Sequence, residues 1–215
     1  MSEFNSFTVA GIGPGSREYL LPITEKEAEE AELLIGGRRA LQLFSHLDTA
    51  KHEITADIKQ VRTIIRNNFK QKKVMVLVSG DPGLYSLAGY LQRFFDRSKM
   101  NIIPGVSAMQ LAFARANLLW QDARFLSLHG RENMSELEKL VRQGQKVGVF
   151  TDEKFTPDSI AEYLLQQGCK DRNVFVAEKL TYCEETNIFG KLSELKDHEY
   201  AKLNVMVIYD EKQRK

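Results

Sequence analysis

Two cysteines in 215 residues, Cys169 and Cys183, stand apart and form no CxxC pair. No disulfide framework and no thiolate metal site can be read from them. A bridge between the two is open in principle, but a reduced, cytoplasmic protein is the simpler expectation. The four histidines, His46, His52, His129 and His198, lack metal-ligand spacing, so no zinc site is expected. An excess of either charge is also missing. Thirty Lys and Arg face 29 Asp and Glu, for a net charge of +1. No global field therefore draws in nucleic acid or an anionic membrane, and an acidic ligand has to be met by local arginines. No apolar run approaches the ~18 residues of a membrane span. The opening MSEFNSF has neither the basic nor the apolar region of a signal peptide. Catalytic signatures are absent too. Ser79 precedes Gly80 without a GxSxG elbow, there is no P-loop, and no nucleophile, base and orienting group fall into a recognisable set.

What is present is ordinary for a globular chain, with 43% hydrophobic and 27% charged residues. The length allows one large domain or two of about 100 residues. Strand-like and helix-like segments alternate. VMVLV at 74–78 is a continuous run suited to a strand buried on both faces of a parallel sheet. IKQVRTIIRNNF, RRALQLFSHL, LYSLAGYLQRFF, VSAMQLAFARA, SELEKLVRQG and DSIAEYLLQQG carry helical spacing. The pattern pauses at NLLWQDA. The last third is strand-rich, with NVFVAEKL, TNIFG and NVMVIYD following one another without helices between them. These features predict an α/β protein of two domains. Residues 1–115 form a mainly parallel one, 122–215 a mixed one, and the join lies near 115–122.

Residues 9–15, VAGIGPG, follow a short apolar run as a dinucleotide fingerprint would. Gly11 and Gly13 fit that fingerprint, but Ser16 stands at its last glycine and Pro14 offers no N–H to an anion. Pro22 interrupts the stretch that follows, and the better helix start is Thr24, with Glu27 as capping-box partner. The turn is thus a poor phosphate cradle. It is not alone, however, because SGDPG and IPGVSA end two further strands of the first domain. Glycine turns at the C-terminal edge of a parallel sheet bring bare backbone close to a ligand. Asp81 is either a turn residue or a group meeting a cation or hydroxyl, and Ser107 either a helix cap or a ligand contact. With no parts for covalent or metal catalysis, the sequence favours a reaction whose cofactor is already activated. Methyl transfer from S-adenosylmethionine fits that description.

The segments VAGIGPGSREYL, VSGDPGLYSLA, IIPGVSAMQLAFARANLLWQDARFLSLHGR, AEKLTYCEE and LNVMVIYD, in this order, resemble the tetrapyrrole (corrin/porphyrin) methylase family over nearly the whole chain. GIGPG with SGDPG carries the family likeness. PGVSAMQ followed by LSLHGR points to members that methylate C5 of a late precorrin. The resemblance implies two α/β domains, S-adenosylmethionine folded into the cleft between them, and a homodimer. It places Gly80, Asp81 and Leu84 beside the methionine part, and Ser107 and Ala108 on the cofactor through short side chains and backbone. Thr151, Leu180 and Asn204 match by strand order the positions that enclose the adenosine. Gly13 and Pro14 line the substrate side, as do His129 and Arg131 of LSLHGR. An arginine fork suits a precorrin carboxylate, with a surface ion pair as the alternative. For His129 a hydrogen-bonded structural role stands beside that of general base.

The implied activity is methylation of C5 of (cobalt-)precorrin-7 in cobalamin biosynthesis, with any cobalt arriving in the substrate. Relatives often place proline where this chain has Cys183, so a different local turn is expected there. Some members fuse a second enzyme that methylates C15 and decarboxylates an acetate arm. Here a separate partner is expected to supply it. Other readings are a sibling methylating another corrin carbon, a modified protein histidine or a ribosomal RNA ribose, and a non-catalytic S-adenosylmethionine-binding domain. Near-neutral charge speaks against RNA.

Overall fold

A computed structural model describes residues 5–55, 57–128, 133–196 and 198–213. The chain forms two compact units, Met1–Ser107 and Ala108–Lys215, each built on a five-stranded sheet.

In the first unit β1 (Phe7–Gly11), β2 (Leu33–Gly36), β3 (Ala50–Glu53), β4 (Val74–Val78) and β5 (Met100–Ile103) lie in the order β3-β2-β4-β1-β5. Every neighbouring pair is parallel. β1, β2 and β4 are buried along their whole length, as their apolar runs require. Val74, Val76 and Val78 pack with Phe7 and Val9 against α3 (Ile58–Asn68) and α4 (Leu87–Leu91). Met75 and Leu77 face the other way, with Ala10, toward α1 (Pro22–Glu29) and α2 (Arg38–Gln42). Each fully buried side chain of this kind contributes about 1.5–3 kcal/mol. The adjacent strands β1 and β4 therefore send their following helices to opposite faces. That is the switch point at which open α/β sheets take ligands beyond the strand C-termini.

Two local expectations are corrected. α1 starts at Pro22, not Thr24, and Leu21 at its N-cap makes no side-chain cap bond. A proline at the first helical position loses no hydrogen bond, so Pro22 opens the helix where it was expected to interrupt one. Thr24, fully buried in the first turn, instead donates its hydroxyl to the Gly11 carbonyl at 3.4 Å. RRALQLFSHL is helical only over Arg38–Gln42. The edge strand β3 has no signature in its sequence, AKHE, because it is almost wholly exposed and shows no apolar alternation. Charged residues on such an edge discourage further pairing.

The second unit begins with α5 (Ala108–Arg115) and continues with β6 (Arg124–Ser127), α6 (Met134–Arg142), β7 (Val147–Phe150) and α7 (Pro157–Gln166). β8 (Asn173–Glu178), β9 (Thr186–Lys191) and β10 (Asn204–Tyr209) complete the sheet, in the order β6-β7-β10-β8-β9. β6 and β7 are parallel and the other pairs antiparallel. α6 and α7 cover one face over Val147, Val149, Val174, Val176, Met206 and Ile208. α5 packs on β8 and β10 from the other side. There Gly148 makes room, since a Cβ on it would lie 2.5 Å from Met109 Sδ. The division between the units thus falls between Ser107 and Ala108, whereas the sequence pattern carries the first domain on to residue 115. A helix after a strand shows the same apolar spacing whichever sheet it covers, so spacing alone does not decide its partner.

Candidate functional site

The turns after β4, β1 and β5 meet at one edge of the first sheet because those strands are parallel neighbours. Gly13 and Gly80 adopt positive φ, 76° and 65°, and pair backbone to backbone. The Gly80 N–H donates to the Gly13 carbonyl at 2.8 Å, and the Gly13 N–H to the Gly80 carbonyl at 3.4 Å. Gly11 and Gly105 press against that same Gly80 carbonyl. A Cβ built on either would stand 2.3 Å from its oxygen. The main chains of the three turns touch directly, a closeness that only residues without side chains permit.

Asp81 fastens this junction. Its Oδ1 accepts the Gly83 N–H at 2.7 Å and its Oδ2 the Gly105 N–H at 3.0 Å, so one carboxylate ties the second turn to the third. Leu84 continues the turn, its N–H donating to the Asp81 carbonyl at 3.2 Å. Next, Tyr85 sits at φ 50°, a conformation that costs a non-glycine residue free energy. Pro14 is half-buried beside the buried Gly13, and Ser107 is buried at 3% exposure immediately before α5. Residues 11–15, 79–83 and 103–107 contain no lysine or arginine, and Asp81 is their one charged side chain.

A second set of predicted residues gathers at one edge of the second sheet. Thr151 follows β7 and Asn204 opens the antiparallel neighbour β10. The Thr151 Oγ1 lies 2.8 Å from the Asn204 carbonyl and 2.6 Å from its Oδ1, and its single proton serves one of them at a time. The Asn204 amide donates to the Ala201 carbonyl at 2.6 Å. Glu178 ends β8 opposite Asn204 and, at 5% exposure, accepts the Ala201 N–H at 2.5 Å. Leu180, 6% exposed, lies between two residues of positive φ, Lys179 at 45° and Thr181 at 73°. Ala108, the first residue of α5, is half-buried.

The bend that carries Leu180 is braced from behind. Glu185 accepts the Thr181 N–H at 2.8 Å and the Arg115 Nε at 2.6 Å. The Arg115 guanidinium, assisted by the Thr181 N–H and Asn187, pulls the Glu185 carboxyl down to about 2 against the opposing effect of burial. A depressed carboxyl stabilises the fold above its unfolded value near 4.5 and loses that contribution as pH falls toward 2. Glu185→Gln is expected to cost on the order of 1–2 kcal/mol near neutral pH, and the deficit to shrink steadily between about pH 5 and pH 2. Urea midpoints of both proteins across that range measure it, and a deficit independent of pH would contradict the assignment. Cys183, on the same bend, is exposed and donates its thiol to Glu184 at 3.1 Å; that bond to the carboxylate holds the thiol pKa above its usual value.

His129 and Arg131 lie outside the described residues. Among the described residues no group of three or more His, Cys, Asp and Glu could hold a metal ion. None of their helices is long and apolar enough to cross a membrane. Sequence reasoning missed Gly11 and Gly105 as parts of the junction, although their turns were marked. It also missed Glu178 and Glu185. A carboxylate closing the apolar run NVFVA was the available signal for Glu178.

Residues 6–196 match the family model of the Tetrapyrrole (Corrin/Porphyrin) Methylases. The chain is 33% identical over 204 residues to the probable cobalt-precorrin-7 C(5)-methyltransferase of Methanocaldococcus jannaschii, covering 93% of this chain and 95% of that one. It is 32% identical over 206 residues to the cobalt-precorrin-7 C(5)-methyltransferase of Salmonella typhimurium, covering 95% and 99%. In fold it is similar to the crystal structure of the methyltransferase CobJ, with a TM-score of 0.81 at 20% identity over 96% of this chain and 94% of the other.

Proposed function

The chain belongs to the tetrapyrrole (corrin/porphyrin) methylases, and from that premise we propose that it transfers a methyl group from S-adenosylmethionine to C5 of cobalt-precorrin-7 in cobalamin biosynthesis. The observation that carries this reading is end-to-end similarity to two enzymes of that name, each matched over more than nine-tenths of both chains.

The first-unit edge suits such a cofactor. A sulfonium is positively charged, and the three turns present one carboxylate, no cation and a surface of bare backbone. Gly80, Asp81, Leu84, Ser107 and Ala108 would hold the methionine part, with Asp81 acting mainly by fixing the turns through Gly83 and Gly105. Thr151, Leu180 and Asn204 would take the adenosine, where the Asn204 amide and Thr151 hydroxyl already constrain each other. When bound, the cofactor supplies an electrophilic methyl carbon.

The protein's task is then to align that carbon with an enamine-like ring carbon that is already nucleophilic, so positioning outweighs acid–base help. Gly13 and Pro14 would face the macrocycle. Arg131 would meet one of its carboxylates, and His129 is the candidate for proton removal. Cobalt enters as part of the substrate. A homodimer in the cytoplasm, working beside a separate C15-methyltransferase and decarboxylase, completes the proposal.

The test is to offer purified protein methyl-labelled S-adenosylmethionine and a cobalt-precorrin-7 preparation. Label entering the macrocycle supports the proposal. Cofactor binding without transfer to any tetrapyrrole would favour a sensing domain and contradict it.

A further inference from the structure

From residue 58 to residue 80 the chain carries Lys59, Arg62, Arg66, Lys70, Lys72 and Lys73 and no acidic residue. Lys73 is neutralised by Glu27 and Glu30. Elsewhere arginines are also paired, as in Arg17–Glu25, Arg115–Glu185, Arg142–Glu138 and Arg172–Asp210. Arg62 and Arg66, one turn apart on α3, are different. Neither has a carboxylate within ion-pair distance among the described residues, and each is laid on an aromatic ring. The Arg62 guanidinium carbon is 4.5 Å from the centre of the Phe94 ring, and that of Arg66 is 5.6 Å from the centre of the Phe95 ring. The Arg66 Nη2 also donates to the Phe94 carbonyl at 3.4 Å. The Arg62 Nε is buried with no hydrogen-bond partner.

A guanidinium that only needed water would leave its long side chain free, since ordering it costs rotamer entropy. Here two are held in place, beside a Phe94 that is still 37% exposed. Their unused N–H groups are preorganised forks, which suit carboxylates. Arg93 and Arg97, both exposed and without an ion pair among the described residues, flank the same turn in sequence and outnumber the exposed Asp96 that lies between them.

The place matters as well. The end of α3 leads into β4, and the segment after α4 leads into β5. Both lie at the N-terminal edge of the first sheet, opposite the three glycine turns. A partner seated here leaves those turns uncovered.

We infer that the Arg62–Arg66–Phe94 face of α3 is a docking surface for an acidic helix of a partner protein, one presenting carboxylates a turn apart beside an apolar side chain. Arg62 and Arg66 stand roughly 6 Å apart along α3, which is short for tracking nucleic-acid phosphates, and the chain's net charge of +1 gives no wider basic field. Arginine and phenylalanine are both enriched at protein–protein interfaces relative to the rest of a protein surface. A second copy would have to break the ion pairs of Glu25, Glu27 and Glu30 with Arg17 and Lys73 to dock through α1, and docking through α7, where Asp158 and Glu162 stand one turn apart, is the outcome that sedimentation detects.

The probe is a short helix-forming peptide with glutamates at i and i+4 and a leucine on the same face, compared with its glutamine analogue by fluorescence anisotropy. The acidic peptide is expected to bind the full chain, and Arg62→Glu/Arg66→Glu to weaken it about tenfold or more. Phe94→Ala should weaken it severalfold with charge unchanged, and the control Lys170→Glu/Lys212→Glu should leave it unaltered. Circular dichroism confirms that each variant is folded. Equal binding of the glutamine analogue, equal loss in the lysine control, or tighter binding of a single-stranded oligonucleotide would overturn the inference. So would sedimentation showing that the arginine variant only dissociates a self-associated chain.

Discussion

Asp81→Ala is expected to weaken S-adenosylmethionine binding at least tenfold while lowering the melting temperature by only a few degrees. The carboxylate accepts two backbone N–H groups, at 2.7 and 3.0 Å, from turns that follow different strands. Hydrogen bonds to a charged group contribute about 1.5–3 kcal/mol each, but both turns lie at a half-exposed edge where water can replace the lost acceptor. The strands beneath are held by their own ladders and by the Phe7, Phe69 and Phe95 ring cluster, so the fold survives. What is lost is the fixed relation between the turns, and binding geometry depends on it. Asp81→Asn keeps one acceptor oxygen and should fall between the two. Calorimetric titration with S-adenosylhomocysteine, paired with a thermal melt, reads both effects. Unchanged affinity in the alanine variant would contradict the role given to this loop.

Gly11→Ala is expected to destabilise the first unit by about 3 kcal/mol or more, enough to lower its melting temperature by on the order of 10–20 °C. The added Cβ would meet the Gly80 oxygen at 2.3 Å and the Gly105 N and Cα at 2.8 and 2.9 Å. All three are main-chain atoms of locked turns, so no flexible side chain can move aside. Gly89→Ala is the matched control. It lies in α4 with nothing within 4 Å of an added methyl, and alanine there should stabilise the helix by about 0.5–1 kcal/mol. Similar melting temperatures for the Gly11 variant and the parent would mean that the junction between the turns is looser than its distances imply.

The sequence disclosed the parallel sheet of the first unit because burial on both faces leaves a continuous apolar run, as in VMVLV, and the mixed sheet of the second because its late strands follow one another without helices between them. It also disclosed the three turns, since glycine and proline punctuate a chain strongly. What it did not disclose has a common cause: the deciding interaction lies outside the local window. Thr24 reads as a helix cap until its hydroxyl is seen on the Gly11 carbonyl, 13 residues away. Asp81 reads as a turn residue, yet one of its two acceptor bonds reaches Gly105, 24 residues on. Helix α5 shows its apolar face in the sequence but not which sheet it covers. Thr151 and Asn204 are 53 residues apart and become partners only through the antiparallel pairing of β7 with β10. Glu178 and Glu185 belong to the same category, their contacts being with Ala201, Thr181 and Arg115.

The central claim is regiospecific methyl transfer, and the most direct measurement follows the methyl group itself. The protein is incubated with S-adenosylmethionine bearing a carbon-13 methyl and with cobalt-precorrin-7, and the product is followed by carbon NMR. One enriched methyl resonance, correlated to the C5 meso position, is the predicted result. Enrichment at any other ring carbon, or none while the cofactor is bound, would contradict the account.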